Sequence, residues 1–396
     1  MNWKDEYRKY VAQLTDFEDM LIAVDHAEGI YLYDKSGKKY MDLLSGIAVN
    51  ILGHKHPAVI SAVRRQAERY LHLMVYGEFV QEETLILAKK LASLLPESLS
   101  KSFFVNSGSE AIEGAIKLAK LFTKRSEIIA FSGSYHGSTH ATLNLLGERR
   151  FKAPFLPLSP DVRILQYNDF EGLKYITERT ACVVLELIQT ASGMVMPLRG
   201  FIQSVRERCS ETGTLLIFDE MQTSLGRLGA MFGFQKFGVV PDILCLAKSL
   251  GGGVPTGVFI SSEKIMNALD NGHPLIGHAT TFGGNPLACA VASAVIDTLI
   301  RDHLVDQVAE KHKLFIEYLD DQHIVKISGE GLLLGVYPDK NMDTKKLVRL
   351  LLAEGIVSNT FLFSSEAFAI IPPLTISTEE IKLACQKINQ VLKNAR

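Results

Sequence analysis

Between residues 103 and 260, short apolar runs alternate with stretches of helical period, and this alternation restricts the chain to very few architectures. "SFFV" reads as a strand and "SEAIEGAIKLAKLF" as the helix after it. "IIAF" is a strand ending near "SYHG". "ACVVLELI", "TLLIFDE", "DILCLA" and "GVFIS" follow, with the helix "FIQSVRERCSETG" closed by Gly213 between the first two. Strands that are apolar throughout, rather than alternating with polar residues, are buried on both faces. Alternation with helices makes the sheet parallel. The predicted fold class is therefore α/β, with a large domain whose mostly parallel sheet lies between helices.

The texture differs on either side. Residues 28–44 read as two short strands turning at "KSGKK", and 56–71 and 82–95 as amphipathic helices. Beyond "GGNP" (283–286), a long helical stretch precedes short strands ("IVKIS", "LLLGVYP") and two further helices. The expected division is an N-terminal segment, 1–50, joining a smaller α+β domain at 286–396, with the large domain at 51–285. The 396 residues and 47% hydrophobic content supply ample core for this.

The balance of charges narrows the partners. A formal net charge of −2 gives no reason to expect nucleic acid or an anionic membrane surface. The charged start "MNWKDEYRKY" lacks the apolar core of a signal peptide, and no apolar run approaches the roughly 20 residues that span a bilayer. Five scattered cysteines without a CxxC pair fit buried, reduced thiols and a cytoplasmic location.

In open parallel sheets, ligands bind beyond the carboxyl ends of the strands. There "ACVVLELI" places Glu186, "TLLIFDE" places Asp219 and Glu220, and "DILCLA" delivers Lys248 before "SLGGG". Asp219 and Lys248 are 29 positions apart, about one β–crossover–β unit, so they belong at the same end of nearby strands. A partly buried Asp–Lys ion pair would account for these two alone. In "FFVNSGSEAIEG", Ser107, Gly108 and Ser109 open a helix whose N–H groups and dipole favour phosphate. The same residues also suit a capping box of Ser107 with Glu110. "SGSYHG" sets Tyr135 and His136 on a glycine-flanked loop, which an ordinary surface loop would also explain.

Lysine, buried carboxylate, phosphate cup and aromatic plate together suit pyridoxal 5′-phosphate. The lysine would form the Schiff base, and the carboxylate would keep the pyridine nitrogen protonated so that the ring acts as an electron sink. If "DEM" is extended, Asp219 and Met221 point the same way, and Met221 and Tyr135 would cover opposite ring faces. An ordinary lysine is neutral in only about one molecule in 2,500 at pH 7. Lowering its pKa by about 3 units disfavours the ammonium by about 4 kcal/mol. An apolar strand end does this, and glycines let a cofactor approach the backbone.

At this point the chain resembles the class III pyridoxal-phosphate aminotransferases of the ornithine, acetylornithine and 4-aminobutyrate type. "YLYDKSGKKYMDLLSGIAVNILGHKHPAV", "NSGSEA", "YHG", "FDEMQTSLGRLG", "PDILCLAKSLGGGVPTG" and "TTFGGNPLAC" match the family's segments in order and at family-like spacing. The resemblance implies a fold-type I homodimer with active sites at the subunit interface. On matching positions, Lys248 is the Schiff-base lysine and proton carrier, Asp219 pairs with the pyridine nitrogen and Gln222 reaches the ring hydroxyl. Ser107, Gly108 and Ser109 hold the phosphate, Tyr135 stacks on the ring with His136 beside it, and Glu186 is the strand-end glutamate. Thr281 would reach the phosphate of the partner subunit. His54 and His56 of "GHKHP" are expected to be structural, and no metal site is expected.

Three departures fall where the family recognises substrate. "YHG" is followed by Ser138 where glutamate-using members carry arginine. "LIQTA" places Ala191 where "PIQGE" has its second glutamate. "FAIIPPL" places Ala369 where an arginine precedes the prolines. The expected activity is transfer of an amino group from a primary amine, diamine or ω-amino compound to pyruvate or a similar small keto acid. Glutamate and 2-oxoglutarate would be poor substrates unless Arg149 or Arg150 substitutes. The competing readings are ordinary acetylornithine or ornithine aminotransfer with 2-oxoglutarate, an epimerase or aminomutase on the same fold, and a non-catalytic scaffold.

Overall fold

The computed structural model describes residues 3–12, 20–74, 77–269 and 277–395. Its strands, in chain order, are β1 (Val24–Glu28), β2 (Tyr31–Asp34), β3 (Lys39–Asp42), β4 (Lys101–Val105), β5 (Glu127–Phe131), β6 (Val162–Leu165), β7 (Thr180–Glu186), β8 (Leu215–Asp219), β9 (Ile243–Leu246), β10 (Gly257–Ser261), β11 (Ile324–Glu330), β12 (Leu333–Pro338), β13 (Ile356–Val357) and β14 (Phe368–Ile370). Seven of them form one sheet in the order β4-β10-β9-β8-β7-β5-β6.

Side chains alternate between two buried faces along these strands, as the continuous apolar runs require. Val183, Leu185, Leu216, Phe218, Leu244 and Leu246 enter one core. Cys182, Val184, Leu215, Ile217, Ile243 and Cys245 enter the other, beneath the helix Gly108–Thr123. The helices Pro57–Arg69 and Glu82–Leu94 pack against Pro286–Arg301.

The sheet is parallel except at β10, which is antiparallel to both β9 and β4. The segment from Ala247 to Thr256 is too short for a helical crossover, so the chain turns back. The edge strand β6, "VRIL", has no counterpart among the predicted strands. The long C-terminal helical stretch is two helices, Pro286–Arg301 and Val308–Tyr318, broken where His303 takes a φ of 50°.

Two smaller sheets flank this unit. One has the order β1-β2-β3-β13, in which β13 pairs parallel to β3, joining the N-terminal strands to the C-terminal part of the chain. The other has the order β11-β12-β14. The fully buried Arg227 donates to the carbonyls of Leu332 (3.2 Å) and Pro372, and burial pushes its pKa down to about 9. It thereby fixes the ends of the C-terminal strands beside the large sheet. All five cysteines are free and buried, and burial raises their thiols well out of the reactive range. None of the described helices is long and apolar enough to cross a membrane.

Candidate active site

The carboxyl ends of the parallel strands open into a cavity of about 1050 Å³. Register sets its floor. Glu186, the last residue of β7, lies opposite Asp219, the last of β8, and Asp219 lies opposite Cys245 of β9. Lys248 follows two residues after β9 ends. Three functional groups on three adjacent strands therefore converge at one end of the sheet, as their spacing predicts.

Asp219 does not pair with Lys248. Its Oδ2 is 2.7 Å from His136 Nδ1, and its Oδ1 accepts the backbone N–H of Met221 at 3.1 Å. The second contact corrects one expectation: β8 stops at Asp219, and the chain folds back on that carboxylate rather than extending through "DEM". Asp219 and Met221 nonetheless both line the cavity. Burial acts to lower the His136 pKa, but the hydrogen bond and charge of Asp219, with the charge of Glu186, outweigh it and raise the pKa.

Glu186 is buried as well. It accepts the backbone N–H groups of Tyr135 (2.7 Å) and Thr190 (3.2 Å). Its pKa lies above the ordinary glutamate value because burial, aided by Asp219, outweighs His136 and these two hydrogen bonds. Lys248 has a pKa below the ordinary lysine value, since burial disfavours its ammonium more than Asp219 and Glu186 favour it. Its φ is 43°, in the left-handed region, and such strain at a non-glycine residue concentrates at functional sites.

The helix Gly108–Thr123 aims its N-terminus into the cavity, with Ser107, Gly108 and Ser109 on the wall. Ser107 Oγ accepts the N–H of Glu110 at 3.2 Å, half of the predicted capping box. The other half is absent. The Glu110 carboxylate accepts instead from the backbone N–H of Asn106 (2.6 Å) and from its side chain (3.0 Å). Tyr135, His136 and Gly137 form the next stretch of wall. Gly137 has a φ of 123°, and a side chain there would strike Ser109, so only glycine lets this loop meet the helix. Tyr135 reaches Ser138 through their hydroxyls, 2.9 Å apart.

Ten of the predicted site residues thus line one cavity: Ser107, Gly108, Ser109, Tyr135, His136, Glu186, Asp219, Met221, Gln222 and Lys248. Thr281 does not; it is exposed on the surface. His54 Nε2 contacts Asp42 Oδ2 at 2.9 Å, and His56 caps the helix that starts at Pro57, so both are structural.

Two parts of the cavity went unrecognised in the sequence. One is the turn Ser45–Ala48, in which four consecutive residues have positive φ. Asp42 secures it by accepting the N–H groups of Leu44 and Ser45, both at 2.9 Å. Ser45 and Ser249 add bonds to the carbonyls of Ile371 (2.7 Å) and Ala48 (2.6 Å). The other part is the loop 359–365, every residue of which lines the cavity. It bridges two of the three substrate-side departures. Phe363 N–H donates to the Ala191 carbonyl at 2.9 Å, and Ala369 N–H donates to the Asn359 carbonyl at 2.9 Å.

The residues present suit a phosphorylated pyridine aldehyde. His136 Nε2 and Gln222 Oε1 are buried polar atoms with no partner, and such atoms call for a ligand or ordered water. A helix N-terminus supplies anion-binding N–H groups, a lysine with a depressed pKa supplies an amine, and a buried carboxylate supplies a counter-charge. A lysine, a phosphate cup and a carboxylate at the strand ends of such a sheet define a pyridoxal-phosphate transferase.

Comparison with known proteins agrees. The model of the family "Aminotransferase class-III" matches residues 14–392. An acetylornithine aminotransferase of Methanopyrus kandleri is 39% identical over 370 residues, covering 92% of this chain and 93% of the relative. Among solved structures, the ornithine aminotransferase of Toxoplasma gondii superposes with a TM-score of 0.91 at 29% identity, covering 99% of this chain and 96% of that one. An (S)-enantioselective omega-transaminase of Thermomicrobium roseum gives 0.89 at 27%, covering 100% and 99%. The chain belongs to the class III aminotransferases. It is a fold-type I, pyridoxal-phosphate-dependent enzyme that transfers an amino group from an amine or amino acid to a keto acid.

Proposed function

We propose that this enzyme takes its amino group from a primary amine or ω-amino compound with an apolar body and passes it to pyruvate or a similar small keto acid. The observation that carries this is the loop 359–365. The family's substrate switch would stand at Ala191 and Ala369, and both are instead tied to a loop bearing Phe361, Leu362 and Phe363 on the cavity wall. Loss of both charges together is coherent, since losing one would leave the other buried and unpaired.

When bound, pyridoxal phosphate supplies an electron sink for the pair left behind as the substrate loses a proton. The chain's residues divide the remaining work. Lys248 would hold the cofactor through its amine and would take up and return the substrate proton. Its depressed pKa supports the neutral form that both tasks require. Asp219, braced by His136 and by the Met221 N–H, would supply the negative charge that favours a proton on the pyridine nitrogen. Ser107, Gly108 and Ser109 would hold the phosphate, Tyr135 and Met221 would cover the ring, and Gln222 would bond its hydroxyl. Glu186 lies beside this group and orients the Tyr135 backbone.

Thr281 is exposed and does not line the cavity of its own subunit, so a role at a phosphate falls to a second copy of the chain. This supports a homodimer with sites completed across a two-fold axis. Thr281→Ala removes one hydroxyl contact, and cofactor retention on dialysis should weaken by roughly fivefold. A fully active monomer by light scattering would contradict the assignment. The five buried free thiols support a reducing compartment, the cytoplasm.

The substrate reading is tested by comparing kcat/KM for pyruvate and a set of primary amines with that for glutamate, 2-oxoglutarate and N-acetylornithine. A carboxylate deprived of a desolvated arginine loses about 2 kcal/mol or more, about 30-fold. The amine and pyruvate set should lead by at least that factor. A lead for 2-oxoglutarate with N-acetylornithine would mean that the activity named for the curated relatives persists on other residues.

A further inference from the structure

Of the two arginines after "YHG", the fold uses only one at the cavity. Arg149 and Arg150 begin a single helical turn, Arg149–Lys152, and both are exposed, but only Arg150 lines the cavity. Its guanidinium lies 4.7 Å from the centre of the Phe151 ring. Phe151 in turn packs against Phe363, with ring centroids 5.3 Å apart. A planar cation thus lies on an aromatic ring that itself packs against the loop 359–365. Arg150 makes no ion pair among the described residues, so its donors are available to a ligand.

The cavity also holds the buried Asp219 and Glu186 and the half-buried Lys248. The same lining includes the apolar Ile371, Phe361 and Phe363 together with the polar Thr190, Asn359 and Thr360. A molecule whose amino group meets Lys248 and whose other end meets Arg150 needs an anionic group at that end, and the apolar part of the lining suits an apolar spacer. A guanidinium fork matches a carboxylate with two parallel hydrogen bonds, which sets a direction as well as a charge.

We infer that Arg150 is the specificity-determining carboxylate receptor of this enzyme. It selects donors whose carboxylate is separated from the reacting amino group by an apolar spacer, that is, ω-amino acids. The inference deepens the amine and ω-amino reading above and rests on it for the direction in which the donor lies.

The experiment uses the pyridoxal-phosphate-loaded enzyme and two series of donors, straight-chain ω-amino acids of increasing length and the alkylamines that lack the carboxylate. For each length the readout is the ratio of kcat/KM for the amino acid to that for the amine. In the wild type this ratio should peak at an intermediate length. Arg150→Ala should lower the peak ratio about tenfold, the size expected of a partly exposed charge-assisted fork. Arg150→Lys should recover part of it, because charge is kept while the fork is lost. Arg149→Ala should leave the ratio in place. A ratio that does not peak, that survives Arg150→Ala, or that collapses instead with Arg149→Ala or with Lys345→Ala, a further, half-buried cation of the lining, would overturn the inference. Failure of the broader reading looks different. If the wild type prefers N-acetylornithine and 2-oxoglutarate, that reading falls. An Arg150→Ala loss confined to substrates with a distant carboxylate would still uphold the receptor.

Discussion

Lys248→Ala should abolish turnover while leaving the protein folded. A positioned proton carrier alone contributes about 10²–10⁴ in rate, and the same residue is also the proposed covalent anchor, so kcat should fall by at least about 10⁴. The fold should tolerate the change for three reasons that are visible in the structure. Lys248 already sits at a φ of 43°, so alanine meets the same backbone strain that lysine does. Gly252 and Gly253, with positive φ, carry the turn that follows, and neither is altered. Burial disfavours the ammonium, so its removal relieves a cost rather than losing a contact.

The pH dependence of stability gives a second readout. The pKa of Lys248 is lower in the folded state than in the unfolded chain, so protonation opposes folding. The cofactor-free variant should be at least as stable as the cofactor-free wild type. Its advantage should be fullest below the depressed folded pKa and vanish above the unfolded value of about 10.4. Urea midpoints across pH, alongside kcat, decide the matter. Near-wild-type turnover would remove Lys248 from the mechanism, and a misfolded variant at neutral pH would make the residue a structural one.

The cofactor end of this site was legible in the sequence because it is local. Glu186, Asp219 and Lys248 end apolar runs. In a parallel sheet, strand ends share one edge, so position along the chain translates directly into position in the cavity. The phosphate cup is likewise contained in "NSGSEA", since a helix N-terminus follows from the residues that start it. Edges and returns were harder to see. β6 is an edge strand that exposes Arg163, unlike the fully buried β7, β8 and β9, so it lacks their continuous apolar run. The reversal at β10 depends on the length of a connection rather than on strand composition.

The substrate end was legible only as absences. Ser138, Ala191 and Ala369 stand out against the family, but no local pattern in "NTFLFSS" says that this loop meets Ala191, which lies 172 positions from Phe363 in the chain. The same holds for Arg150. Sequence offered two equivalent neighbours, and only the rotation of one helical turn distinguishes them. Long-range contacts that use backbone groups leave no signature in side-chain type, and the substrate wall is built largely of such contacts.

Asp219→Asn should cost less than the loss of Lys248 but should separate charge from shape. The amide occupies nearly the same volume, and its oxygen can still accept the Met221 N–H. It cannot supply the negative charge proposed to hold a proton on the pyridine nitrogen. A unit charge about 4 Å away, at an effective dielectric of about 20, is worth about 4 kcal/mol, or roughly 10³-fold in rate if the interaction acts fully in the transition state. The His136 partner sharpens the test. In the wild type Asp219 raises its pKa against burial. With asparagine that support is lost, burial prevails, and the imidazole should titrate at lower pH in an NMR titration of the ring protons. A kcat reduced by about 10³ with cofactor affinity changed far less, together with the downward His136 shift, would establish Asp219 as the charge that serves the ring. Turnover that survives the substitution would reduce the carboxylate to a brace for His136 and the Met221 turn.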